Sequence, residues 1–271
     1  MLIHTVLSGE TVSSIAAGYG VPPSLLISDN GLGTDGALAV GQALVIRFPQ
    51  TLHVVKQGET LSSIAAAYGL TVRQLYQRNY ALMGSPQLSP GQVLVISCLE
   101  ERLGTVSTNG YAYPYISQAE LRAALPYMTW LAPFTYGLDA QGGLLPLDDG
   151  MLLSAAAELG TAPLLHLSSL TEEGQFSNAR AQAILSDPAA QERLMDQVLV
   201  TMRAKGYTGL DVDFEFIEPG YRTSYAAFIQ SLHDRLSPLG YPVFTALAPK
   251  TYAAQPGLLY VAHDCRALGA A

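Results

Sequence analysis

Thr208-Gly209-Leu210-Asp211-Val212-Asp213-Phe214-Glu215-Phe216 is the run on which the fold turns. Three carboxylates alternate there with bulky apolar residues, and a strand sends successive side chains to opposite faces. Asp211, Asp213 and Glu215 therefore share one face, and Leu210, Val212, Phe214 and Phe216 share the other. Successive acids on such a strand stand roughly 6.6–6.8 Å apart. Each resists ionisation of its neighbour, and burial resists it further. Acids are seldom buried without a role, which favours a catalytic acid with two supporting carboxylates over a wet acidic face or a cation site.

Around this run the chain alternates two kinds of segment. Strand-like stretches at 108–113, 128–135, 162–167, 209–216 and 243–248 are separated by helical ones at 118–125, 147–159, 188–205 and 221–236. That order argues parallel strands joined by crossover helices. Asp187-Pro188 supplies an N-cap and a first-turn proline for the longest helix. In a (β/α) barrel the working residues gather at the C-terminal strand ends, and Glu215 lies near the end of the fourth stretch.

The first hundred residues hold an internal repeat. Gly9-Glu10-Thr11-Val12-Ser13-Ser14-Ile15-Ala16 returns as Gly58-Glu59-Thr60-Leu61-Ser62-Ser63-Ile64-Ala65, and Gly41-Gln42-Ala43-Leu44-Val45-Ile46 as Gly91-Gln92-Val93-Leu94-Val95-Ile96. Val12, Ile15, Ala16 and Tyr19 fall at helical spacing, as do Leu61, Ile64, Ala65 and Tyr68. Thr11 and Thr60 stand where N-caps belong, and Gly20 and Gly69 where the chain must leave the helix. A second short helix follows in each copy, closing near Asn30 and Asn79, and strands at 4–7 with 43–47 and at 53–56 with 93–97 bracket the two units.

Both repeats resemble the LysM domain, a small βααβ unit that binds N-acetylglucosamine-containing glycans such as peptidoglycan and chitin. The resemblance implies domains at 1–49 and 51–98, with sugar contacts at Gly9, Glu10, Thr11, Asn30 and Gly31, and at Gly58, Glu59, Thr60, Asn79 and Tyr80. Capping and turn chemistry explain Thr11, Thr60 and the glycines equally well. A short polar linker at 99–106 leads into the segment 107–271.

The acidic run in turn resembles the fourth-strand signature of glycoside hydrolase family 18, the chitinase-like enzymes, written D-G-x-D-x-D-x-E. Gly209, Asp211, Asp213 and Glu215 match it, and Thr208 stands in place of its first Asp. The sequences around 110–115, 131–137 and 245–251 look like the first, second and fifth strand ends of the LysM-bearing branch of that family, which includes spore-cortex N-acetylglucosaminidases. The implied fold is α/β, two βααβ units and a partial (β/α)8 barrel with about five of eight strands.

The implied chemistry is hydrolysis with retention, in which the substrate's 2-acetamido group is the nucleophile. Glu215 is then the general acid, Asp213 orients the acetamide, and Asp211 shares a proton with Asp213. Tyr111, Phe134 and Tyr136 either approach the sugar or pack at the barrel mouth. No cofactor and no metal is implied. Five strands for a barrel of eight also point to a C-terminally truncated hydrolase, with non-catalytic glycan binding as the alternative.

Composition bounds the partners. The 271 residues carry a net charge of −8 with 49% hydrophobic content, and no concentrated basic face exists to hold nucleic acid or an anionic membrane. Cys98 and Cys265 lie far apart and read as two unpaired thiols. The five histidines show no ligand spacing and no neighbouring nucleophile. Met1-Leu2-Ile3-His4-Thr5 lacks a secretory start and no apolar run reaches spanning length, so the expectation is a spore- or wall-associated protein made without an export signal, otherwise a cytoplasmic one, with peptidoglycan or a chitin-like polymer as partner.

Overall fold

A computed structural model describes residues 1–33, 35–99, 104–171 and 173–271. Half of the expected linker, 100–103, lies outside the described residues. The chain forms two compact units, Met1–Ser107 with Ser117–Tyr127, and Thr108–Ile116 with Met128–Ala271.

In the first unit each repeat is strand, helix, helix, strand. The first copy runs β1 (Leu2–Thr5), α1 (Val12–Tyr19), α2 (Pro23–Asp29) and β2 (Ala43–Ile46). The second runs β3 (Pro49–Val54), α3 (Leu61–Ala67), α4 (Val72–Arg78) and β4 (Val93–Cys98). β1 pairs antiparallel with β2, and β3 with β4. The opening strands start earlier than expected, because the chain already turns before Gly9 and Gly58, whose φ values of 84° and 83° suit glycine alone. Val12, Ile15, Ala16, Leu26, Leu44 and Ile46 pack the first core. Thr11 with Ser14, Thr60 with Ser63 and Thr71 with Gln74 form reciprocal capping boxes.

Two side-chain braces recur in both copies. His4 Nε2 donates to Glu10 Oε2 (2.9 Å), its Nδ1 meets the Tyr19 hydroxyl (3.1 Å), and the Leu7 amide donates to the same carboxylate (2.7 Å). His53, Glu59, Tyr68 and Lys56 repeat the arrangement at 2.7–3.1 Å. The second brace is an asparagine. Asn79 Oδ1 accepts from the Val95 amide (2.7 Å), and Nδ2 donates to the carbonyls of Leu75 and Val95 (2.9 Å each). Asn30 ties Leu26 to Val45 in the same way.

Since Asn79 is buried, Asn79→Ala strands an amide and two carbonyls at the seam of α4 and β4. Urea denaturation is expected to show a loss of about 2–3 kcal/mol; an unchanged midpoint would mean the brace is ornamental.

Helix α5 (Gln118–Ala124) follows the first barrel strand in the chain yet groups with the repeats. Arg73 Nε and Gln77 Nε2 both donate to the Pro126 carbonyl (3.1 and 2.8 Å), and the Tyr127 hydroxyl donates to Tyr76 O (3.1 Å).

The second unit is built on five parallel strands in chain order: β5 (Asn109–Ala112), β6 (Trp130–Pro133), β7 (Ala162–Ser168), β8 (Gly209–Asp213) and β9 (Val243–Thr245). The helices are α6 (Gly150–Leu159), α7 (Asn178–Ser186), α8 (Pro188–Lys205), α9 (Arg222–Leu236) and the short α10 (Leu258–Val261) and α11 (Cys265–Leu268). α7 escaped the sequence reading because its few apolar positions give only a weak stripe; Ser177 caps it through the Arg180 amide.

Leu210, Val212 and Phe214 point away from the acids into a core with Ile184, Val198 and Leu232, and the Phe214 ring stacks on Phe228 with centroids 5.8 Å apart. The strand is shorter than the alternation suggested. It stops at Asp213, and Phe216 has φ 54° and an exposed ring, so it does not share the apolar face. Gly209 has a packing reason: a Cβ there would lie 2.8 Å from Leu164 Cδ2 and 2.9 Å from Pro242 O. Trp130 is half-buried against Phe244. Cys98 and Cys265 are free thiols, and among the described residues no helix is long and apolar enough to cross a membrane.

Candidate active site and glycan-binding surfaces

β8 delivers the acids. Asp211 sits mid-strand and is 2% exposed. Asp213 ends the strand, and Glu215 lies two residues beyond it. Asp213 and Glu215 open on a cleft of about 530 Å³ whose walls include Tyr111, Tyr113, Phe134, Leu247 and His263. Asp211 lies beneath, inside the sheet. Burial, with the charges of Glu215 and Asp211, pushes the Asp213 carboxyl up to about 6 against the opposing pull of His166. The three carboxyls therefore come together on one side of β8, but at two depths: one buried and two in the cleft.

Tyr111 and Phe134 line the cleft. Their rings make an edge contact (6.5 Å), and burial followed by the charge and hydrogen bond of Asp211 raise the Tyr111 hydroxyl above its ordinary range. Tyr136 does not line the cleft. It is 2% exposed, and its hydroxyl donates to Asp149 Oδ2 (2.5 Å), which also accepts from the Tyr207 hydroxyl (2.5 Å). Lys205 Nζ closes the knot on Asp149 Oδ1 (2.8 Å) and the Tyr136 oxygen (2.7 Å). Tyr136 leaves the cleft because its phenol is buried and needs these partners.

Several cleft residues escaped the sequence reading. Tyr113 lines the cleft and stacks on Tyr115, with centroids 5.0 Å apart and planes at 15°, and both rings are exposed. His263 is buried at the cleft wall. Its Nε2 lies 2.9 Å from Phe214 O, an atom that only accepts, so the proton is on Nε2 and Nδ1 presents a lone pair with no protein partner. Burial lowers its pKa, which keeps the ring neutral. His166, on β7, packs directly against the acids. A signal for it was available, because His166 and Ser168 alternate with buried leucines on β7 as the acids do on β8. Among the described residues no group of three or more His, Cys, Asp or Glu is arranged to hold a metal ion.

On the repeats the expected sugar contacts divide. Gly9, Gly31 and Gly58 are turn residues with positive φ. The Leu7 and Lys56 amides, followed by the histidines of the braces, hold the Glu10 and Glu59 carboxyls below their ordinary range. Thr11 and Thr60 cap helices. Asn30 and Asn79 spend their amides on backbone groups of their own repeat, and Asn79 also borders the groove beside Tyr80. Tyr80 is 49% exposed and borders a groove of about 420 Å³ lined also by Ser24, Ser28, Asp29 and Gln92.

Fold and acids together define a two-part protein, a pair of βααβ repeats and a parallel sheet that carries an acidic cleft. Residues 4–47 and 53–97 match the LysM domain family, so the chain carries two LysM domains. Over 271 residues it is 31% identical to the cortical fragment-lytic enzyme of Bacillus anthracis, and over 279 residues 32% identical to that of Bacillus subtilis. These alignments cover 98% and 99% of this chain. The crystal structure of the Bacillus cereus spore cortex-lytic enzyme SleL superimposes with a TM-score of 0.73 at 31% identity, over 99% of this chain and 63% of SleL. A class V chitinase from Pseudomonas fluorescens, 24% identical with a TM-score of 0.55 over 61% of this chain and 51% of that one, shares the fold of the second unit. The chain spans 63% of the length of the curated relatives it matches.

Proposed function

We propose that the protein is a cell-wall or spore-cortex glycan hydrolase. Its LysM repeats, at 1–49 and 51–98, hold an N-acetylglucosamine-containing polymer, and the cleft of Asp213 and Glu215 cuts it with retention. Glu215 gives its proton to the glycosidic oxygen while the 2-acetamido carbonyl oxygen attacks the anomeric carbon. The bond to the leaving sugar breaks and an oxazolinium ion forms. Asp213 takes the acetamide N–H and faces the developing positive charge. Water, activated by the Glu215 carboxylate, then opens the oxazolinium and returns the proton. The observation that carries this is the convergence of Asp213 and Glu215 on one aromatic-walled cleft, above a third acid that is buried. Two weak glycan sites on one chain would gain affinity through effective concentration, which suits association with an insoluble wall.

Glycan binding without turnover is the second reading, favoured by the two LysM matches, which involve none of Asp211, Asp213 and Glu215. Incubating the chain with insoluble cortex peptidoglycan separates the two. Pelleting of the protein together with release of reducing ends is the expected result. Pelleting with no release would leave only the binder, and no pelleting would remove both.

A further inference from the structure

We propose that His166 is a positioning residue that ties Asp211 and Asp213 together and supplies the positive charge against which Asp213 ionises. In the parallel register of β7 and β8, His166 stands opposite Asp211 and Ser168 opposite Asp213, so the imidazole and both carboxyls share one face. The His166 side chain is 0% exposed. Its Nδ1 lies 3.2 Å from Asp211 Oδ2 and its Nε2 3.7 Å from Asp213 Oδ2.

A neutral imidazole has one donor and one acceptor, whereas ionised carboxylates only accept. With the Nδ1 proton on Asp211, a neutral ring would turn a lone pair toward Asp213, and Nε2 has no hydrogen-bond partner in the protein. A further proton on the ring or on either carboxyl relieves that opposition, and with it on the ring Nε2 faces Asp213 Oδ2 as a cation at 3.7 Å, an ion-pair distance. The Tyr111 and Phe134 rings, with centroids 5.1 and 5.0 Å from the imidazole, shield it from water. Tyr111 packs on the imidazole, and Tyr111, Glu215 and Tyr225 are the other titratable groups that act on the same two aspartates. Both ion pairs formed by Asp211 and Asp213 among the described residues are with His166, so removing it leaves burial and two like charges unopposed at Asp213.

This deepens the hydrolase reading and rests on it, but it is tested without turnover. In the full chain, carboxyl 13C shifts would report the titration of Asp213 in the native protein and in His166→Asn. The expected result is an upward move of the Asp213 midpoint from about 6 by about one pH unit or more, as loss of a neighbouring opposite charge requires. An unmoved midpoint in the folded variant overturns the proposal, whereas a merely structural histidine predicts that outcome. Should His166→Asn fail to fold, the native ring decides instead. Its imidazole signals must shift through the pH range in which Asp213 titrates, and signals indifferent to that range overturn the proposal. Absence of reducing-end release, by contrast, removes the hydrolase reading and leaves the titration result standing.

Discussion

Glu215→Gln is expected to lower the release of reducing ends from peptidoglycan by about 10²–10⁴-fold, the ordinary contribution of a general acid, while leaving the pelleting of the protein with the polymer unchanged. Glutamine keeps the shape of the side chain and loses only the transferable proton, so the cleft of Asp213, Tyr111, Tyr113 and Phe134 survives. Binding by the LysM repeats involves other residues and is not touched. A variant that cleaves at the native rate would take Glu215 out of the chemistry. The pH profile adds a check. Asp213 must be ionised to face the oxazolinium charge, and its carboxyl titrates at about 6, so the rate should fall as the pH drops below that value.

How far the sequence led depended on whether a feature is local. Period-two alternation placed Asp211 and Asp213 together and Leu210, Val212 and Phe214 opposite them, and it failed only at Phe216, where the chain enters the left-handed region beyond the strand end. The repeats were legible because capping threonines and turn glycines act within a few residues of themselves. What the spacing could not carry was the destination of long-range polar groups. Asn30 and Asn79 looked available at helix ends, yet each reaches 15 or 16 residues along the chain to a strand amide. Tyr136 sits where the strand end should face a ligand, but its hydroxyl is claimed by Asp149 and by Lys205, 69 residues away. Spacing between histidines carries no information on His166, whose informative relation is its register against Asp211 across a crossover.

Asp149→Ala carries the largest expected loss of stability. Asp149 is 2% exposed and accepts from Tyr136, Tyr207 and Lys205, so its removal leaves two buried hydroxyls and an ammonium without their acceptor. Breaking a buried pair from one side costs about 3–5 kcal/mol. Lys205 is 35% exposed and can turn to water, which argues for the lower end, about 3 kcal/mol, read as a shift in urea midpoint at unchanged slope. The pH dependence has a definite sign. Burial alone would raise the Asp149 carboxyl, but the hydrogen bonds from Lys205, Tyr136 and Tyr207 outweigh it and hold it below its ordinary value of 3.8. The unfolded chain therefore takes up the proton first as pH falls, so the contribution is complete above about pH 4 and is lost as pH drops through the folded value. Asp149→Asn removes that titration while keeping a carbonyl acceptor. The stability gap between native and Asn chains should accordingly narrow below pH 4, and a gap that stays constant down to pH 2 would show that the carboxylate charge is not what the two tyrosines and the lysine hold.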